Sequence, residues 1–231
     1  MNRIQNGLNT ATVVGYKTQT VNGGKHVIDH TYPEHKVTDG AFISNPPAQN
    51  GMIFEGDLGQ FDYNTNVVKH LKVFVAHTAV ASADTAVNVK AGDGYHVPEV
   101  GEIIMVAPSN FSTGTGTART ITAVALNSGG LYYELTLDGS FGAAVDANTV
   151  LVEGASAGTE KAVAVIPNVV FPQDIFIYET PASTYNAATG FKYYTSLYDA
   201  CAILGRKLTV SIPAGARVAL RSGYSDVKIV E

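Results

Sequence analysis

The chain has 231 residues, 15 Lys+Arg against 20 Asp+Glu, a formal net charge of −5 and a single cysteine. One or two modest domains are therefore expected, a disulfide framework is excluded, and the acidic balance argues against a nucleic-acid-binding chain, whose footprint is a basic stripe. Charged residues make up 15% of the chain, against about 25% in an average soluble domain, so Gly, Thr, Asn and Ser (23, 22, 14 and 12 copies) must cover much of the surface. A neutral surface of that kind suits a chain whose neighbours are other proteins. No apolar run approaches the roughly 20 residues that span a bilayer, and the start MNRIQNGLNT has no apolar leader core. Neither a membrane anchor nor a secretory signal is expected, and synthesis in a cytoplasm-like compartment is.

Residues 1–66 are punctuated by Asn22-Gly23-Gly24, Asp39-Gly40, Asn45-Pro46-Pro47, Asn50-Gly51 and Gly56-Asp57, with apolar runs of only two or three residues between them. Few strands of useful length can form there, so the region reads as an extended N-terminal arm. Its apolar points Phe42, Ile43, Met52, Ile53, Phe54 and Phe61 are the candidate partner-binding residues, because a near-neutral chain of this kind orders by lying on another surface. The same region holds His26-Val27-Ile28-Asp29-His30, with Glu34 and His35 close behind, which is near the zinc-protease pattern H-x-x-E-H. Gly23-Gly24 before it and Tyr32-Pro33 after it leave too little chain for the helix that pattern needs, so a solvated or interface loop is expected and no metal site.

Val and Ile total 40 residues and Thr 22, against 12 Leu, which is the composition of strands. Short apolar or alternating runs predict strands at 72–76, 86–90, 102–106, 119–126, 132–137, 149–152, 162–166, 174–178, 207–212, 216–220 and 226–230. Turn residues separate them, among them Gly92-Asp93-Gly94, Asp138-Gly139 and Pro213-Ala214-Gly215, and the runs on either side of Asn127-Ser128-Gly129-Gly130 make the clearest hairpin. One helix is predicted near 193–204, where Tyr193, Tyr194, Leu197, Tyr198, Cys201 and Leu204 recur at helical spacing before Gly205, with Cys201 a buried, inert thiol. The expected fold is mainly β: a small β-barrel or β-sandwich core with one short helix in the C-terminal region and an extended N-terminal arm. Its parts are an arm at 1–66, a β module at 67–160 and a C-terminal β module at 161–231.

Other candidate chemistry is thin. Gly114-Thr115-Gly116-Thr117-Ala118-Arg119 lacks the third glycine and the following helix of a dinucleotide loop, so 108–118 reads as a flexible hairpin tip. None of the serines sits in a G-x-S-x-G elbow. Asp93, Glu99 and Glu102 supply carboxylates within ten residues, but with no Trp to stack on a sugar they read as loop and strand-edge polarity. Tyr178, Tyr185, Tyr193, Tyr194 and Tyr198 suit an interface and a core equally. No catalytic residue, cofactor or metal ligand is assigned.

One stretch resembles a known family. The run 86–106 (AVNVKAGDGYHVPEVGEIIMV), then 118–124 (ARTITAV), then 131–155 (LYYELTLDGSFGAAVDANTVLVEGA) is similar to the small β modules of tailed-bacteriophage head proteins, with the corner Val100-Gly101-Glu102-Ile103 and the late strand Asn148-Thr149-Val150-Leu151-Val152. Upstream, 37–43 and 51–54 resemble the openings of head decoration and head-fibre-base proteins. The resemblance covers about half the chain. It implies an auxiliary capsid protein of the virion, without enzymatic activity, bound to the major capsid protein lattice and other virion proteins, as a trimer or another homo-oligomer. A tail, baseplate or fibre-attachment protein and a carbohydrate-binding β domain are the alternatives.

Overall fold

Short runs of β-branched residues become strands only where a partner strand takes up their backbone N–H and C=O groups, and here most partners are distant in sequence. The computed structural model describes residues 28, 35–37, 41–47, 51–177, 194–204, 208–222 and 226–230. The protein is mainly β. The early strands are β1 (His35–Lys36), β2 (Ala41–Ile43), β3 (Met52–Ile53), β4 (Leu58–Asp62) and β5 (Val67–His70). The middle of the chain gives β6 (Val73–Val75), β7 (Ala86–Lys90), β8 (Ile103–Val106), β9 (Gly116–Leu126), β10 (Tyr132–Leu137), β11 (Val150–Glu153) and β12 (Gly158–Lys161). The last third gives β13 (Val169–Val170), β14 (Ile175–Phe176), β15 (Tyr194–Thr195), β16 (Tyr198–Leu204) and β17 (Asp226–Val230). One α-helix, α1 (Ala214–Ser222), lies among the described residues.

Two main sheets result. In the first the order is β1-β16-β13-β4-β5-β2-β15, with β17 pairing parallel to β16. In the second it is β6-β11-β8-β9-β10-β7, with β12 on β9. This second sheet curls until its ends meet: Ala76, just past β6, bridges Val89 of β7, and His77 N–H donates to Asn88 O at 2.7 Å. Alternation is clean where one face is solvated, so Val87 and Val89 of β7 and Leu135 and Leu137 of β10 point inward together. A small separate pair joins β3 to β14.

The structure corrects the expected arm wherever its residues are described. β4 and β5 form an antiparallel pair across the boundary placed at residue 66, and β4 also pairs with β13. Asp62 closes the connecting turn by accepting from Asn64 N–H and the Thr65 hydroxyl, and Asn66 takes the left-handed conformation at φ 56°. Ile43, Ile53, Phe54 and Phe61 are buried, three of them in one core with Val68, Val169 and Phe171, while Phe42 and Met52 are half-buried in strand pairs with Tyr194 and Phe176. Four of these six side chains are therefore packed within the chain itself, and the other two are partly covered by it. Their runs look too short because β2, β3 and β4 each take a partner from 169–195, a relation that local sequence does not carry.

The helix is also displaced. Of the residues predicted as a helix at 193–204, those described, 194–204, contain β15 and β16, and Cys201, Ala202 and Ile203 are all buried in succession because β16 lies between neighbours with both faces covered. A continuous apolar run reads the same for a buried strand and a buried helix. The actual helix occupies 214–222, where the sequence suggested a strand at 216–220. Pro213 precedes its first turn, Arg217 N–H donates to Pro213 O at 3.1 Å, and Ala216, Ala219 and Leu220 make its buried stripe. Residues 208–212 are not a strand, and β12 and β13 stand on either side of the predicted 162–166. The loop 107–115 is no free tip, since Phe111 is buried beside α1.

That contact makes Gly215 a sharp test. A β-carbon there would lie 2.3 Å from both Phe111 Cδ1 and Pro108 O. Alanine normally favours a helix over glycine by about 1 kcal/mol, but forcing a methyl group into a filled site costs about 1–3 kcal/mol, so the clash decides the sign. Gly215→Ala should lower the unfolding free energy by about 1–2 kcal/mol in urea denaturation.

Candidate functional site

The chain leaves the first sheet at His70 and enters the second at Val73, so 70–72 is the crossing between them. Two polar clusters form around this crossing, and the loop between β7 and β8 supplies residues to both.

The first cluster is Asp57, His70 and His96. Asp57 stands just before β4, on a turn in which Asp57 N–H donates to Phe54 O at 3.0 Å. Gly56 occupies the third position of that turn at φ 89°, which a residue with a β-carbon rarely adopts. The Asp57 carboxylate folds back to accept from Phe54 N–H at 2.8 Å. His70 ends β5 on the inward side with Val68, and Asn45 holds its backbone from both sides: His70 N–H donates to Asn45 Oδ1 at 2.6 Å, and Asn45 Nδ2 donates to His70 O at 2.8 Å. His96 is turned inward after two left-handed glycines, Gly92 at φ 113° and Gly94 at φ 83°.

Both rings aim one nitrogen at the same oxygen. His70 Nε2 lies 2.9 Å and His96 Nε2 3.3 Å from Asp57 Oδ2, with ring centroids 4.7 Å apart. The rings are 0% and 5% exposed, and neither Nδ1 has a hydrogen-bond partner. Burial pushes His70 down to about 4, against the pull of Asp57, so this ring is neutral at pH 7. Burial by itself would raise the Asp57 carboxyl, but the His96 and His70 rings override it and hold it well below the ordinary carboxylate range. Two imidazoles and a carboxylate with ligand atoms within 4.8 Å of one another are a donor set that suits a divalent metal ion.

The second cluster surrounds Lys72. Its ammonium contacts Glu102 Oε1 closely and Glu99 Oε1 at 3.6 Å, and Glu99 N–H donates to Glu102 Oε2 at 2.9 Å. Burial disfavours the lysine charge, yet the facing Glu102 and Glu99 carboxylates raise its pKa above the ordinary value. Glu153, which accepts from Asn45 Nδ2 at 3.4 Å, is raised by burial. With 8% and 9% of their side chains accessible, Lys72 and Glu102 form a buried ion pair that joins the start of β6 to the start of β8.

Sequence reasoning missed the first cluster altogether and only half-saw the second. Asp57 was visible only as part of a turn, and His70 and His96 were single histidines 26 positions apart with no motif around them. The alternation of Val68 and His70 in β5 was the one available signal. Of the candidates the sequence did offer, His26, Asp29, His30 and Glu34 lie outside the described residues, and His35 is exposed and paired with Asp199 at 2.6 Å. Asp93 is exposed and apart from the Glu99 and Glu102 pair. Cys201 and Tyr198 are buried. Gly116 opens β9, a strand, in the place a phosphate loop would need a helix.

No protein-family model, no curated protein and no solved structure matches this chain.

The buried ion pair yields a test of what holds the two sheets together. Replacing one partner leaves the other charged and buried, at a cost of about 3–5 kcal/mol, whereas removing both costs less. Lys72→Met should therefore destabilise by about that amount, and adding Glu102→Gln to it should restore at least about 1 kcal/mol, measured by a double-mutant cycle in urea.

Proposed function

We propose that the protein is a structural virion protein that decorates or stabilises the capsid of a tailed bacteriophage by binding the lattice of the major capsid protein. The resemblance over 86–155 suggests this class, and every strand within those residues belongs to the curled second sheet, which has a core of its own built on Phe74, Val89, Ile104, Ile121, Leu135 and Leu151. The observation that carries the reading is the tip of the β9–β10 hairpin. Leu126 and Leu131 flank its turn at 55% and 63% exposure, and Asn127, Ser128, Gly129 and Gly130 between them bear no charge. Asn127 stiffens the tip by accepting from Leu131 N–H at 2.8 Å and Tyr132 N–H at 3.2 Å through its side chain.

A stiff, uncharged hairpin with two open leucines is suited to a pocket on another protein. Burying each leucine contributes about 1.5–3 kcal/mol, and a lattice that engages several copies multiplies a modest contact into tight attachment. This reading moves the docking surface from the N-terminal apolar residues, which the fold itself consumes, to the hairpin. Association into a trimer or another symmetric cluster, with the major capsid protein and other virion proteins as neighbours, belongs to the same proposal.

Immunogold labelling of purified particles with antibody to this chain should mark the head. A Leu126→Asp/Leu131→Asp protein should melt within a few degrees of the unaltered one yet lose at least about tenfold in particle binding, equal to about 1.4 kcal/mol. Labelling confined to the tail, or unchanged binding by the double variant, would count against the reading.

A further inference from the structure

We propose that Asp57, His70 and His96 bind one divalent transition-metal ion of the zinc class, with a water molecule completing a tetrahedral site.

The geometry is already close to that of a loaded centre. Zinc sits about 2.0–2.1 Å from imidazole nitrogen and carboxylate oxygen, so two ligand atoms on a tetrahedral ion lie about 3.4 Å apart. The two Nε2-to-Oδ2 separations are 2.9 and 3.3 Å, and all three donor atoms fall within 4.8 Å of one another. A small opening of the cluster admits the ion. The donor set, two imidazoles and one carboxylate, is the borderline-soft combination that zinc accepts and that calcium and magnesium, which take oxygen ligands, do not.

The three donors also converge on one point: both buried rings turn Nε2 toward a single oxygen, Asp57 Oδ2, which the Phe54 N–H faces as well. A cation shared by the three groups would balance the charge of the carboxylate in a site where Phe54 lies against the His96 ring and Phe171 against the His70 ring. The fourth position has room: a cavity of about 40 Å³ borders Asp57 and His96, with Leu71, Gly94, Thr209 and Ser211 among its walls, and about 10–15 Å³ is enough to hold a water.

The supports are rigid where a metal site needs them to be. The Gly56 turn, the Asn45 clamp on His70 and the paired glycines before His96 each fix one ligand through its backbone. A bound ion would pin the β7–β8 loop to the first sheet at His96, a few residues from where Glu99 and Glu102 pin it to Lys72. The other described histidines are placed differently: His35 is exposed beside Asp199, and His77 stacks on Tyr132 at 4.7 Å.

The test uses the full chain made without a polyhistidine tag, stripped with a chelator and titrated with Zn²⁺ by calorimetry and with Co²⁺ by visible absorption. One equivalent of each should bind, Co²⁺ should give the intense visible bands of tetrahedral coordination, and zinc should raise the melting temperature. Asp57→Asn and His96→Gln, each checked for folding by circular dichroism, should lower zinc affinity by about 100-fold or more, since even residues that only support ligands lower it 10–100-fold. His26→Ala/His30→Ala should leave it within about threefold, as expected for positions that supply no ligand. The cobalt spectrum of the unaltered protein needs no variant, so a variant that fails to fold does not leave the proposal open. A folded chain that takes up neither metal stoichiometrically overturns it. So does binding that survives Asp57→Asn and His96→Gln, or that is abolished by His26→Ala/His30→Ala.

Discussion

A buried charge must be paired, and the crossing from the first sheet to the second obeys that constraint. Lys72 sits within two residues of His70 on the short link between β5 and β6, and both are almost wholly removed from water. Neither finds its partners on the link itself. Asp57 comes from the turn before β4, while His96, Glu99 and Glu102 all come from the β7–β8 loop. The loop is therefore held at two points, and by being held it brings the curled sheet against the first one. The main apolar core follows from that closure, since it joins Leu58 and Tyr198 of one sheet and Leu71 of the crossing to Met105 and Val152 of the other sheet, with Ala216 and Leu220 of α1 closing the side.

Such a junction is specific rather than strong. Apolar residues of similar volume would fill the space at no greater cost, but they would not dictate which loop meets which strand. A carboxylate that must meet two imidazoles and an ammonium that must meet two carboxylates leave few alternative registers. The left-handed glycines at 56, 92 and 94 are the backbone side of the same arrangement, because each turns a polar residue inward at a point where regular structure would not.

The surface follows a different logic. With 35 charged residues in 231, and several of those consumed at the junction, much of the exterior of the curled sheet is Thr, Ala, Gly and Asn. Along β9 the open positions Ala123 and Ala125 share one face, opposite Thr136 and the exposed Glu134 of β10, and Leu126 ends the strand at the exposed turn that leads to Leu131.

Composition and turn chemistry were enough to read a mainly β fold, and the strands of the curled sheet other than β12, because these depend on local signals: β-branched runs, period-two burial in β7 and β10, and an Asn-Ser-Gly-Gly turn between two strands that are neighbours in sequence. Where strands pair over long distances the same signals fell silent. Ala41–Ile43 and Leu58–Asp62 looked like an arm because their runs are short and each has one of its two partner strands in the last third of the chain, and Tyr198–Leu204 looked like a helix because burial on both faces erases the period that distinguishes the two. The Asp57, His70 and His96 cluster shows the limit most plainly. Each residue is ordinary in its own segment, and the ligand-like geometry exists only because a turn, a strand end and a loop converge from three parts of the chain. Sequence by itself determined which segments would seek β partners and where the chain would turn; tertiary structure alone decided which segments met, because side chains acquire a common site only after backbone pairing has brought their strands together.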